Sequence, residues 1–338
     1  MRRALSQIGL WGLLIAWPQV AHSTDAYKKT QYYRGITARY TVTHVERGDV
    51  DGDGSDEVLV CYREPEDAID QRGGVLILTG QGRAARVAWH ALFEKIYPLR
   101  VQVNGKALTF QLVHKTSSGQ KRLAKTLVRG EHFHFRGDPA SPLAKVEIEA
   151  SSTLDAEGVE PANVFDRDLE SAWAEGARGT GVDESIRLVF AEPVDLGLIG
   201  VLHGNFRGKR YWLDNNRLHR AEVTVETTAD RYDTESDVDF GEDLGLDLYG
   251  DRIDCSFTNR PVMRYFKLDR KKVLSLELKI TSVLLGEKND DTYVAEIDLV
   301  ELVPAWLLLG EPKPEKKTES KPREDEPEES SDDWIDDF

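Results

Sequence analysis

Hydrophobic and polar residues alternate along most of the chain in short runs punctuated by glycine, proline and acidic turns, and stretches with helical spacing are scarce. That pattern predicts a mainly β protein. In a first region, residues 27–140, strands are expected at ITARYTVTHV, EVLVCYR, GGVLILTG, RVQV, ALTFQLVH and EHFHF, with HALFEKI as a helical turn among them. A second region, residues 145–304, reads VEIEA, SIRLVF, LIGVLHG, HRAEVTVET, MRYFKL, SLELKITSVLLG and VAEIDLVEL, which suits a two-sheet sandwich. The segment GDPASPLA, 137–144, holds turn and linker residues and separates the two. Residues 228–256 read as an acidic, glycine-containing insertion at the surface.

The two ends change the picture. The opening MRRALSQIGLWGLLIAWPQVAHS has two arginines, an apolar run from Ile8 to Trp17, and small residues at Ala21 and Ser23. It reads as a signal peptide, residues 1–23, since the run is shorter than the roughly 20 apolar residues a membrane span needs. The mature protein is then expected to be secreted or periplasmic, and monomeric. Residues 311–338 carry twelve acids against five bases, four prolines and no base after Arg323. Such a segment buries too little apolar area to offset its ordering entropy, so a disordered acidic tail is expected. Its ending DDWIDDF reads either as a solvating tail or as an acidic-aromatic motif for a protein partner. The formal charge of −16, or −18 once Arg2 and Arg3 are removed, opposes bulk attraction to nucleic acid, and no nucleic-acid partner is expected. Cys61 and Cys255 lie far apart and read as buried free thiols, with a bridge between them left open.

Candidate chemistry begins at GDVDGDGSDEVLV. Asp49, Asp51 and Asp53 stand at alternate loop positions, Gly54 supplies a sharp turn, Ser55 offers a carbonyl, and Glu57 follows two residues later. This is an oxygen cage for a cation of calcium's size. Without a cation, carboxylates about 4 Å apart repel by about 4 kcal/mol per pair at an effective dielectric near 20. The loop is not an EF-hand, because Val60 occupies the place of the bidentate glutamate and EVLVCYR continues as a strand. It resembles the strand-flanked loops of FG-GAP repeats, present here once.

A second constellation, NVFDRDLESAW, sets Asp166, Asp168 and Ser171 ahead of Trp173. With VFDRDLESAWAEGARGTGVDESIRLVF, LHGNFRGKRYWLDNNRLHRAEVTVET and GEKNDDTYVAEI, it resembles the NADase-type glycan-binding domain, a discoidin-like (F5/8 type C, galactose-binding-like) branch. The resemblance covers roughly half the chain. It implies a discoidin-like β-sandwich, or jelly roll, preceded by the small calcium-loop β domain. It also implies a structural calcium held by Asn163, Asp166, Asp168, Ser171, Ala295 and Glu296, giving two calcium sites in all. The enzymatic part of the toxin that names the family is a separate domain, so nothing about NAD hydrolysis follows.

Sugar binding needs a flat aromatic for the apolar ring face and rigid donors for the hydroxyls. HGNFRGKRYWLDNNR supplies both, and His203, Asn205, Arg207, Tyr211, Asn216 and Arg217 are the expected contacts unless the loop only braces the sandwich. Trp173 reads as core, and Trp212 as either core or contact. His132 and His134 would share a strand face, but no third ligand lies nearby. No GxSxG, HExxH or phosphate-cradling motif occurs, so no enzymatic activity is expected. The reading is a secreted carbohydrate-binding protein recognising a cell-surface or extracellular polysaccharide. Two others stay open: a cell-envelope docking component using the same sandwich without sugar, and a hydrolase.

Overall fold

A computed structural model describes residues 25–65, 71–80, 84–116, 119–229 and 252–309. The expected signal peptide, most of the acidic insertion and the acidic tail lie outside the described residues.

The chain enters through helix α1 (Gln31–Thr37), which takes the first two residues of the expected strand ITARYTVTHV, so that the strand starts only at Thr41. Thr30 caps it, its hydroxyl accepting from the Tyr33 amide at 3.2 Å. Tyr32 and Ile36, four apart, bury one face. Strands β1 (Thr41–Gly48), β2 (Glu57–Arg63), β3 (Gly73–Thr79) and β4 (Arg86–Phe93) follow as an antiparallel meander. HALFEKI is not a helical turn: its first four residues end β4, Lys95 turns with φ 58°, and Ile96 opens the next strand. That strand, β5 (Ile96–Asn104), pairs with β6 (Ala107–Thr116), and β6 with β7 (Gly119–Val128), in a separate three-stranded sheet. EHFHF is a turn rather than a strand: the Glu131 and His132 amides donate to the Val128 carbonyl at the end of β7, and Phe133 makes an isolated bridge to Arg129, so the two histidines share no strand face.

The second region adds β8 (Val146–Ala150), β9 (Trp173–Ala174), β10 (Ser185–His203), helix α2 (Lys209–Asp214), β11 (Asn216–Thr227), β12 (Arg252–Ser256), β13 (Arg264–Leu284), β14 (Thr292–Val303) and helix α3 (Ala305–Leu309). Strand β12 corrects the expected surface insertion at its C-terminal end: it pairs with β11 and buries Cys255. Pro193 falls in a break in β10, between paired residues Val189 and Val194. Proline cannot donate to a ladder, so the strand bends there and serves both layers of the sandwich. The result is a mainly β protein whose second region is a discoidin-like sandwich. Cys61 and Cys255 are buried and unbridged.

The regions share one sheet. Ala91, Leu92 and Phe93 of β4 run parallel to Glu301, Leu302 and Val303 of β14, so the meander continues as β14, β10, β13, β11 and β12. Between them lies an apolar cluster holding Tyr32, Ile36, Tyr62 and Leu92 from one side and Leu198, Tyr265, Val300 and Leu302 from the other. A polar knot is buried in the same junction. Asp298 accepts from Arg136 Nη2 at 2.6 Å and from the Tyr265 hydroxyl at 2.9 Å, and pairs with His90 Nδ1 at 2.7 Å. The far nitrogen of His90 meets the Tyr62 hydroxyl at 2.9 Å. Burial alone would raise the Asp298 pKa, but His90, Arg136 and Tyr265 outweigh it and hold the carboxyl below its usual range.

Candidate functional site

The loop after β10 folds back on itself. Gly204 takes φ 96°, and a Cβ there would meet the Trp212 ring at 2.8 Å, so only glycine lets the indole lie against the backbone. Asn205 accepts from the Arg207 amide at 3.1 Å, closing a turn that delivers α2 and, on it, Trp212. The Arg217 guanidinium lies 4.5 Å from the centre of the Trp212 ring.

Four of the six expected sugar contacts brace the loop, and the fifth, His203, packs its ring 5.1 Å from that of Phe257. His203, Asn205, Asn216 and Arg217 are buried, at most 5% exposed. Arg217 donates to the carbonyls of Trp212, Asn215 and Leu285, and Asn216 ties Gly286 to Asp290. Arg207 is exposed and donates to the carbonyls of Glu157, Gly158 and Glu170, pinning this loop to the acidic one. Backbone carbonyls left unpaired under a loop are costly, and these side chains answer them. Tyr211, at 54%, and Arg207 are the exposed members of the six.

His203 has a consequence for pH. Burial first, then the nearby charge of Arg217, pulls its pKa from 6.5 down to about 4. Because the folded value is depressed, the stability it contributes is complete above pH 6.5 and drains as pH falls toward 4, by about 3 kcal/mol. Urea unfolding at pH 7 and pH 4.5 should show a smaller acid loss in His203→Asn than in the wild type. Equal losses would refute the assignment.

Beside this loop is a cavity of about 410 Å³ that the spacing of residues did not reveal. Its apolar wall is Leu169, Phe206, Trp212, Ala85 and Pro261, and Lys29, Lys209 and Glu170 stand charged around it. Gln31 Oε1 and Trp212 Nε1, on two lining residues, are buried without hydrogen-bond partners. An unpaired buried polar atom costs about 1–3 kcal/mol. The lining comes from the start of α1, from Ala85 before β4, from the acidic loop and from the α2 loop, so only folding across the two regions assembles it. Phe206 and Trp212 were the one local clue.

The two acidic loops differ in form. In the first, Asp49, Asp51 and Glu57 each offer an oxygen, all within 4.8 Å of one another. Glu57 is fully buried; one oxygen accepts from the Val50 amide at 2.7 Å and the other has no partner. Burial raises its pKa, with Asp51 and Asp53 adding to the rise, and a bound cation would reverse that. Asp53 accepts from the Ser55 amide at 2.7 Å, and Gly52 and Gly54 take the positive φ values the tight turn needs.

In the second loop, the Ser171 hydroxyl lies 2.7 Å from Asp166 Oδ2 and 2.8 Å from the Asp168 carbonyl. One hydroxyl proton serves only one of them well, so the oxygens crowd as a cation shell does. Glu296 is fully buried; its Oε2 accepts from the Arg167 amide at 3.1 Å, and its Oε1 has no hydrogen-bond partner, with the Arg136 guanidinium 3.6 Å away. Ala295 lies buried beside it on β14. The Asn163 amide donates to the Ala172 carbonyl at 3.1 Å, which leaves its main-chain oxygen as the available ligand. The oxygens gathered in the first loop fit a hard, oxygen-seeking cation; in the second, Asp166, Asp168 and Ser171 are hydrogen-bonded to one another.

Residues 142–300 match the family model of the NAD glycohydrolase translocation F5/8 type C domain. No curated protein matches the chain. Among solved structures, the F5/8 type C domain of a Bacteroides fragilis protein is 17% identical, with 47% of this chain covering 94% of that one at a TM-score of 0.32. CpGH89CBM32-5 from Clostridium perfringens, in complex with GalNAc-β-1,3-galactose, is 14% identical over 47% of this chain and 97% of its own, at 0.33. Arabinofuranosyltransferase AftD from Mycobacteria (mutant R1389S) is 16% identical over 46% of this chain at 0.33, and the chain spans only 11% of that protein.

Proposed function

We propose that the F5/8 type C sandwich at residues 142–300, together with the region before it, binds an oligosaccharide in the junction cavity, as a secreted or periplasmic protein stiffened by calcium at both acidic loops. The observation that carries the reading is the cavity itself: an aromatic and apolar wall, two lining residues with unpaired polar atoms, and charged groups around it. A pyranose presents the same mixture, an apolar face and a ring of hydroxyls. Calcium contributes charge neutralisation to the loops. Leu169 and Glu170 line the cavity from the second loop, so stiffening that loop fixes one wall.

Binding without turnover follows from the donor set. Glycoside cleavage uses a pair of carboxylates, and Glu170 is the one carboxylate among the described residues lining the cavity. The test is a broad glycan array probed with the full protein in calcium, followed by titration of a hit against Trp212→Ala. Removing the indole should weaken binding by about tenfold or more while the fold survives, and Arg217→Ala should act first on stability. An array without a neutral binder, or a neutral hit that Trp212→Ala leaves unchanged, would favour a docking role for the sandwich.

A further inference from the structure

The three-stranded sheet β5–β7 carries charge of one sign. From Lys95 to Gly130 the sequence has eight bases and no acid, in a chain with 60 acids against 44 bases overall. Six of them, Arg100, Lys106, Lys115, Lys121, Arg122 and Lys125, belong to the three strands and the β5–β6 turn. All are exposed except Lys125, which is half-buried, and among the described residues none forms an ion pair or side-chain hydrogen bond.

Register places them. Leu108, Phe110 and Leu112 of β6 face the core, so the alternate residues of the sheet face outward. On that outer face Arg100 lies beside Gln111 and Ala124, Gln102 beside Thr109 and Thr126, and Lys115 opposite Gln120, while Arg122 stands one row from Ala124. The surface is thus a row of amides and hydroxyls flanked by cations. Among the described residues strand β7 pairs with β6 alone, and Lys121 and Lys125, opposite His114 and Phe110, stand on its other face along that edge, beside the outer face rather than on it. Edge protection asks for charge, which glutamate supplies as well as lysine, so it does not account for the missing acids.

We propose that this face binds an acidic polysaccharide laid along β6 and β7. Amides and hydroxyls recognise sugar hydroxyls, and unpaired arginines and lysines recognise the acid groups. Single-stranded nucleic acid is a poorer match, since it needs aromatic platforms for its bases and the sheet has no exposed aromatic residue. A membrane is poorer still, because no large exposed apolar residue lies on these strands. The face is separate from the junction cavity and does not depend on it.

The test measures binding of the full chain to polygalacturonate and heparin, with dextran as the neutral control and oligodeoxythymidine as the charged non-sugar control. Binding to both acidic polysaccharides and not to dextran is expected. The triple variant Arg100→Gln, Lys115→Gln, Arg122→Gln should keep its melting temperature and bind about 1000-fold more weakly, at about tenfold for each cation removed. Trp212→Ala should leave this binding intact, which separates it from the cavity. No binding, an unaffected triple variant, or equal affinity for oligodeoxythymidine would overturn the proposal. So would binding seen only after removal of residues 311–338, which would assign the face to the chain's own acidic segment.

Discussion

Replacing Arg136 with alanine is expected to lower the free energy of unfolding by about 3–5 kcal/mol, the usual cost of stripping one partner from a buried ion pair. The guanidinium is 7% exposed and the Asp298 carboxylate not at all. Removing it leaves Asp298 with His90 and Tyr265, and leaves Glu296 without its nearest cation. Asp298→Ala should cost a similar amount, by stranding Arg136 and His90. The double variant Arg136→Met, Asp298→Leu removes both charges and should recover much of the loss, since a well-packed apolar pair can match a buried ionic one. Urea denaturation of the wild type, Arg136→Met, Asp298→Leu and the double variant closes the cycle. Single-variant losses below about 1 kcal/mol would mean that water reaches the knot. Arg136 belongs to the first region and Asp298 to the second, so the cycle also measures how firmly they act as one body. The second region cut out alone would lose Arg136, His90 and the β4 ladder together.

The second large effect concerns calcium. Chelation should lower stability by about 2.7 kcal/mol for each site held 100-fold above its Kd, because a ligand that binds only the native state adds RT ln(1 + [L]/Kd). Asp51→Asn with Glu57→Gln should abolish the first site, and Asp166→Asn the second. Each variant should therefore lose one calcium equivalent by metal analysis and part of the chelator's effect on Tm. Protein that carries no calcium after dialysis against a calcium buffer, with Tm indifferent to chelator, would contradict both assignments.

Much of the strand order was legible because its cause is local. EVLVCYR, GGVLILTG, ALTFQLVH and HRAEVTVET carry their own turn signals, and each lies largely within a strand. What was hidden came from distant neighbours. The alternation in AEIDLVEL reads as one buried and one solvated face, yet Glu296 and Asp298 are as buried as Ile297, because the first region covers the outer face of β14. Gly35 sits in a helix because a Cβ would strike the Met263 carbonyl at 2.6 Å, a neighbour more than two hundred residues away. The bracing role of the loop residues was hidden for the same reason. Arginine and asparagine in a loop look like ligand donors, but here the carbonyls of the loop itself occupy them, while the cavity draws on α1 and Pro261, which share no spacing with it.

The most direct measurement is a crystal structure of the full protein in calcium with an oligosaccharide chosen from the glycan array. A sugar ring is expected in the cavity against Trp212 and Phe206, with hydroxyls reaching Trp212 Nε1 and Gln31 Oε1. A sugar bound at Tyr211 and away from that cavity, or a cavity closed while the sugar is held elsewhere, would contradict the proposed function.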